Sequence, residues 1–179
     1  SPDAVAERMT PRTKAIMPVS LYGLSADMDP ICRIAKEYGI RVVEDSAQCF
    51  LAKYKGRLAG TVGDMGSFSF QSSKHMTAGE GGILITDDDE LAERTRLFSG
   101  LGYRALTARV TAIRKEEIQS PDYARHAAMG FNYRMAELCA AVLLAQVEKL
   151  DVLVHWRVKN GEALTRALDG CGWIAPQKI

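Results

Sequence analysis

Two stretches decide how this chain folds: RVVEDSAQ (Arg41–Gln48) and GDMGSFSFQSSKHMTAGEGGILIT (Gly63–Thr86). The first is a short apolar run that turns acidic at its end, which reads as a strand leading into a polar turn. In the second, Ser and Phe alternate strictly, so Ser67 and Ser69 share one face of a strand and Phe68 and Phe70 the other. GGILIT (Gly81–Thr86) reads as a further strand. Gly79, Gly81 and Gly82 predict a tight turn where a Cβ would clash. Ligands of doubly wound sheets sit in the crevice beyond the carboxyl ends of the strands. The polar residues there, Asp45, Gln48, Ser69 and Lys74, are therefore the candidate site. Taken singly, each has an ordinary reading: Asp45 as a turn cap, Lys74 as a solvated surface lysine.

Outward from these strands, strand and helix signals alternate. Ala15–Ser20 (AIMPVS) is a short apolar run that Pro18 moves towards a strand end. Asp29-Pro30 predicts a helix start with Asp29 as N-cap, and Gly39 marks the stop after Ile31, Ile34, Ala35 and Tyr38. Asp87 to Glu90 place negative charge at the start of a helix whose inward face is Leu91, Thr95 and Phe98, ending at Gly100. This alternation predicts an α/β domain with a mostly parallel sheet. Residues 101–128 carry Arg104, Arg109, Arg114, Lys115 and Arg125 without periodicity and read as a long exposed excursion. Its cations form a solvated surface or, on the sharper reading, hold an anionic partner. A helix is expected from Asn132, with Met135, Leu138, Cys139, Val142, Leu143, Val147 and Leu150 on one face, and another from about Val152 to Leu168.

Composition narrows the function. Lys and Arg number 23 against 22 Asp and Glu, a net charge of +1, which argues against a nucleic-acid binder with a basic stripe. No apolar run is long enough to span a bilayer, and the N-terminal stretch does not read as a signal peptide. Cys32, Cys49, Cys139 and Cys171 fall in no C-x-x-C pair and read as buried reduced thiols, which makes a cytoplasmic location the expectation. His75, His126 and His155 are too scattered for a metal set. The polar opening residues and the PQK ending read as those of a piece of a longer protein.

The order and spacing of these motifs carry a resemblance. VVEDSAQ, GDMGSFSF, KHMTAGEGG and FNYRM, with PVSLYGLSADMD (Pro18–Asp29) before them, are similar to the signatures of the pyridoxal-phosphate-dependent sugar aminotransferases of the DegT/StrS type. That family has the three-layer α/β/α aspartate-aminotransferase fold (fold type I), and the resemblance covers nearly the whole chain. It implies residues 1–150 as part of the large cofactor-binding domain and 151–179 as a linker helix and the start of a small C-terminal domain. A preceding phosphate-binding segment and most of the small domain would lie outside the chain.

Residue by residue, the resemblance implies that Lys74 forms the Schiff base with pyridoxal phosphate and that Asp45 binds its pyridine nitrogen. Gln48 matches the amide on the phenolic oxygen, Ala47 the small residue against the ring, and Ser69 a hydroxyl on the phosphate. Asn132 matches an asparagine that reaches the phosphate of a neighbouring subunit, in a homodimer; its ordinary reading is the cap of the helix starting there. Chemistry agrees: a buried carboxylate keeps a pyridinium protonated, and a lysine amine can attack an aldehyde and then shuttle protons. The implied activity is transfer of an amino group from glutamate or glutamine to a keto sugar, usually nucleotide-linked. Gln71 is similar to residues of the inosose and aminohydroxybenzoate branches, so a carbocyclic ketone is a variant. The dehydratase branch has His in place of the lysine, and His75 stands next door. Counting back five intervening residues from Glu80 lands on Lys74, which favours transamination. A non-catalytic regulator is the third reading, against which the intact set of polar residues stands.

Overall fold

In the computed structural model, which describes residues 1–104, 116 and 119–177, the RVVED run is the second strand of a four-stranded sheet. The chain opens with α1 (Pro2–Arg8), then β1 (Ala15–Ile16), α2 (Met28–Glu37) and β2 (Arg41–Asp45). A small hairpin of β3 (Lys53–Tyr54) and β4 (Arg57–Leu58) precedes β5 (Met65–Ser69) and β6 (Gly82–Ile85). Among the described residues the helices α3 (Asp89–Ser99), α4 (Glu137–Val147) and α5 (Leu150–Ala167) follow. The sheet order is β1-β2-β5-β6. β2 lies parallel to both β1 and β5, whereas β6 runs antiparallel to β5, pairing Ser67 with Leu84. The sheet is thus mostly parallel, with one reversed edge strand.

The first core forms where α2 lays its apolar stripe on β1 and β2. Ile16, Met28, Ile31, Ala35 and Val42 are buried together, and each full burial of an Ile or Met side chain stabilises by roughly 1.5–3 kcal/mol. A second core lies beneath the candidate site. Phe50, Phe70, Met76 and Ala78 are buried there, with Met135, Cys139 and Leu143 of the α4 region and Leu150, Leu153 and Val154 of α5 packed against them. Gly66 fits the tight seam between β5 and the loop before it, since a Cβ there would stand 2.0 Å from the Gly60 carbonyl oxygen.

Several expected boundaries move, each for a visible reason. α2 starts at Met28 rather than after Asp29, and Asp27 occupies the N-cap position without capping directly. Its carboxylate accepts from the Tyr54 hydroxyl at 2.6 Å, which in turn accepts from the Asp29 N–H at 3.1 Å, so the hairpin relays the cap. Pro30 then sits in the first turn, where a missing N–H costs nothing. The α4 helix begins at Glu137, not Asn132. Phe131 and Tyr133 donate their N–H groups to Phe98 and Ser99 carbonyls at the end of α3, which holds this stretch extended. Asn132 is therefore not a helix cap. Phe98 itself is exposed, and α3 buries none of its residues fully. The 101–128 excursion is closed at its base: Arg104 N–H donates to Arg125 O, and the Tyr103 and His126 rings stack at 4.6 Å. Arg109, Arg114 and Lys115 lie outside the described residues.

Candidate functional site

β2 ends in two acidic residues that point to opposite sides, as strand alternation requires. Glu44 is completely buried and accepts three backbone N–H bonds, from Gly60 at 2.7 Å and from Val62 and Gly63 at 2.6 Å each. Asp45 is half-buried and turns to the other side. Its Oδ1 accepts from the Ala47 N–H at 3.0 Å, and among the described residues its second oxygen accepts no bond.

Because β2 and β5 are parallel neighbours, with Asp45 in register with Ser67, their carboxyl ends open at one edge of the sheet. Ser69 ends β5 at that edge, and its hydroxyl accepts from the Gln71 N–H at 3.3 Å. Lys74 stands in the turn that follows, half-buried, its N–H bonded to the Gln71 carbonyl at 3.0 Å. The Gln71 carboxamide ties this turn together, donating to Ser72 Oγ at 2.7 Å and accepting from Ser73 N–H at 2.8 Å. Ala47 and Gln48 lie in the turn after β2, again at the same edge. Asn132 is not joined to this group by any hydrogen bond among the described residues; its Oδ1 accepts from Arg134 Nε at 3.0 Å.

In the GEGG turn, Gly79 and Gly81 take positive φ of 85° and 143°. A Cβ on Gly81 would come within 2.6 Å of Met135 Cε, whereas Gly79 faces open space. At Gly79 the requirement is the backbone conformation, not the clash expected from sequence.

His75, beside Lys74, faces inward, its ring 5.5 Å from that of Phe50 and its Nδ1 buried without a partner. Burial, followed by the nearby Arg157 and Lys74 charges, holds its imidazole below the usual pKa. The four cysteines are free; Cys49 is buried and the others half-buried, and burial raises the thiols of Cys32 and Cys49, leaving them poor nucleophiles. Among the described residues no group of three or more His, Cys, Asp or Glu could hold a metal ion, and no helix is long and apolar enough to cross a membrane.

Sequence reading missed two contributors. Glu44 is one; its signal was a carboxylate at an inward position of an apolar strand. Tyr22 is the other. It holds a left-handed conformation (φ 52°, ψ 35°) and donates its N–H to Gln48 Oε1 at 3.1 Å. The carboxamide oxygen being engaged, the two Nε2 hydrogens of Gln48 are its free end.

A parallel sheet with its polar groups gathered beyond two adjacent strand ends is the arrangement of an α/β ligand-binding domain. The model of the DegT/DnrJ/EryC1/StrS aminotransferase family matches residues 1–179, and the chain belongs to that family. It is 43% identical over 143 residues to a GDP-perosamine synthase of Caulobacter vibrioides, covering 80% of this chain and 34% of that protein. It is 41% identical over 175 residues to a putative L-glutamine:3-amino-2,3-dideoxy-scyllo-inosose aminotransferase of Streptoalloteichus tenebrarius, covering 98% and 39%. Among solved structures, 3-amino-5-hydroxybenzoic acid synthase superposes with a TM-score of 0.85 at 34% identity, covering 99% of this chain and 43% of that one. An Escherichia coli GDP-4-keto-6-deoxy-D-mannose-3-dehydratase with bound hydrated PLP gives a TM-score of 0.82 at 29% identity, covering 95% and 44%. The chain thus has the α/β fold of PLP-dependent transferases over somewhat less than half of their length.

Proposed function

We propose that the protein is a pyridoxal-phosphate-dependent aminotransferase that moves an amino group from glutamate or glutamine onto a keto sugar. The observation that carries this reading is the common edge of β2 and β5, which gathers Asp45, Gln48, Ser69 and the turn bearing Lys74. The donor set suits the cofactor. Asp45 keeps one oxygen free for a pyridinium N–H, Gln48 presents N–H donors for a phenolate, and Ser69 offers a hydroxyl for the phosphate. Ala47 leaves room for the ring. Lys74 supplies the amine that holds the aldehyde. When bound, the cofactor supplies an electron sink and a temporary home for the amino group. Asp45 keeps the pyridine nitrogen charged by opposing its deprotonation. Lys74 Nζ would serve as the base that takes a proton from the donor carbon bearing the amino group and, once protonated, as the acid that delivers one to the acceptor carbon that gains the amino group.

The substrate class follows the relatives, one a synthase of a GDP-linked amino sugar and another an aminotransferase of an inosose. A nucleotide-linked keto sugar is the first assignment and a carbocyclic ketone the variant. Against the dehydratase reading, His75 packs its ring on Phe50 instead of standing free in the crevice. We assign residues 1–150 to part of the large cofactor-binding domain and 151–179 to a linker helix and the start of a small C-terminal domain. A homodimer suits the exposed Leu138, Val142 and Leu144 of α4, and it gives Asn132 a role at the partner's phosphate. Borohydride reduction of the full-length protein with pyridoxal phosphate, followed by peptide mapping, tests the assignment. The label is expected on Lys74. A label elsewhere, with Lys74→Ala still active on a panel of nucleotide-linked and carbocyclic ketones, overturns it.

A further inference from the structure

Lys74 is tethered to more than its own turn. Its N–H bonds back to Gln71, but its carbonyl oxygen accepts from Arg157 Nη2 at 3.3 Å, a contact across 83 residues. Arg157 comes from α5, and its place there follows from helical spacing. Leu150, Leu153, Val154 and Arg157 stand at i, i+3, i+4 and i+7, one stripe along the helix. The three apolar members of that stripe pack on the cluster of Phe50, Phe70, Met76 and Ala78, directly under the Lys74 turn. Met76 is buried two residues after Lys74, so the turn is fastened to α5 through its apolar side and through its backbone at once. Arg157 is the polar continuation of the packed stripe, and its fork reaches the carbonyl that the turn leaves unpaired within itself.

We infer that Arg157 is a positioning residue, which fixes the backbone of the Lys74 turn to the α5 helix and thereby the direction from which the Lys74 amine enters the crevice. The inference rests on the reading of Lys74 as the cofactor lysine only for its consequence, since the tether itself needs no cofactor. Guanidinium is suited to the task because its charge strengthens a hydrogen bond to a neutral carbonyl and its planar fork holds one geometry.

The test compares Arg157→Met, Arg157→Lys and, as a control that removes a charge from an exposed site on the same helix, Lys159→Met, all in the full-length protein. Amide hydrogen exchange of the peptide spanning 71–78, measured without cofactor, reads the tether alone. Loss of one charge-assisted bond is expected to speed exchange of these amides by about five-fold or more in Arg157→Met. The lysine variant should fall between, and the control should match the parent. In borohydride labelling at limiting pyridoxal phosphate, the share of pyridoxyl on Lys74 should fall in the same order while the thermal midpoint stays close to that of the parent. Unchanged exchange in Arg157→Met, or an equal change in Lys159→Met, overturns the inference. If Arg157→Met fails to fold, the lysine variant decides, since it keeps the charge and the stem but not the fork. If the parent itself takes no label on Lys74, the assignment of Lys74 is what fails, and the exchange result still decides the tether.

Discussion

The two sides of the β2 end treat a carboxylate in opposite ways. On the Gly60–Gly63 side, Glu44 is sealed from water and both of its oxygens are occupied by backbone N–H donors. On the crevice side, Asp45 is half-buried with one oxygen committed to Ala47, and Gln48 has its oxygen engaged with its nitrogen end free. Adjacent residues of like chemistry are thus saturated where they hold the fold and left with spare capacity where a ligand is expected. Spare capacity in a polar group is costly to keep once water is excluded. Its presence at Asp45 and Gln48, one and four residues beyond a fully satisfied Glu44, is the physical ground on which we propose the crevice, and not the Glu44 side, as the binding site.

The comparison breaks most visibly at Lys74. Lys74→Ala should lose transamination by ~10²–10⁴-fold or more, the scale of a positioned proton-transfer group, with the denaturation midpoint nearly unchanged because the amine makes no bond among the described residues. Steady-state kcat/KM beside a urea titration measures both, and equal losses of activity and stability would sink the separation. Asp45→Asn is isosteric, and its Oδ1 can still accept from Ala47, so the fold should persist. Activity should fall on the order of 10²-fold, since an amide cannot oppose a pyridinium charge. Near-normal turnover in that variant would make Asp45 a turn cap and nothing more.

Glu44 should behave in reverse. In Glu44→Gln, one carboxamide oxygen can serve Val62 and Gly63, but the new NH2 faces the Gly60 N–H, two donors with no acceptor between them. A loss of about 2–3 kcal/mol is expected from leaving buried donors unpaired, seen as a lower urea midpoint with an unchanged slope. Residual activity per folded molecule should stay near that of the parent. A stable Glu44→Gln with altered substrate KM would instead place Glu44 in the site.

Much of this was legible in the residues. RVVED is β2 to the residue, and the strand expected over Gly63–Phe70 is found as Met65–Ser69, with Ser67, Phe68 and Ser69 all half-buried and Phe70, just beyond its end, buried. The places of Asp45 and Ser69 at the ends of β2 and β5 could be read because a strand end needs only local pattern to be found. What escaped depended on partners distant in sequence. The Asp27–Tyr54–Asp29 relay moved the start of α2, and α3 carbonyls held Phe131 to Tyr133 extended where periodicity favoured a helix. Tyr22 in a left-handed conformation carried no local sequence signal, since a tyrosine is uncommon there and its partner Gln48 lies 26 residues on. The reversed β6 likewise escaped, because strand direction is not written in a run such as GGILIT.

The smallest expected effect lies at the opposite end of β2, where Asp64 closes the strand. Its Oδ2 accepts from the Val42 N–H at 2.7 Å and its Oδ1 from Arg41 Nη1 at 2.6 Å, with Arg41 reaching Asp88 at 3.4 Å as well. Burial pushes the Asp64 carboxyl up, but the Val42 N–H and the Arg41 guanidinium outweigh it, and the net position is below the ordinary value. A carboxyl whose folded pKa is depressed adds stability that is present above its unfolded pKa, near 3.9, and is lost as the pH falls through the lower folded value. Asp64→Asn should therefore cost about 1 kcal/mol at pH 7, since one of its two acceptor positions becomes a donor facing Arg41 or Val42. The gap between variant and parent should shrink steadily below about pH 4, because the parent then protonates the same group. Salt at molar concentration should remove only part of it: the Arg41 pair is exposed and screened, while the Val42 bond is shielded. Thermal midpoints of both proteins from pH 7 down to the acid limit measure the gap directly, and all other titrating groups cancel between them. A gap that stays constant across that range would mean that Asp64 contributes by its shape and not by its charge.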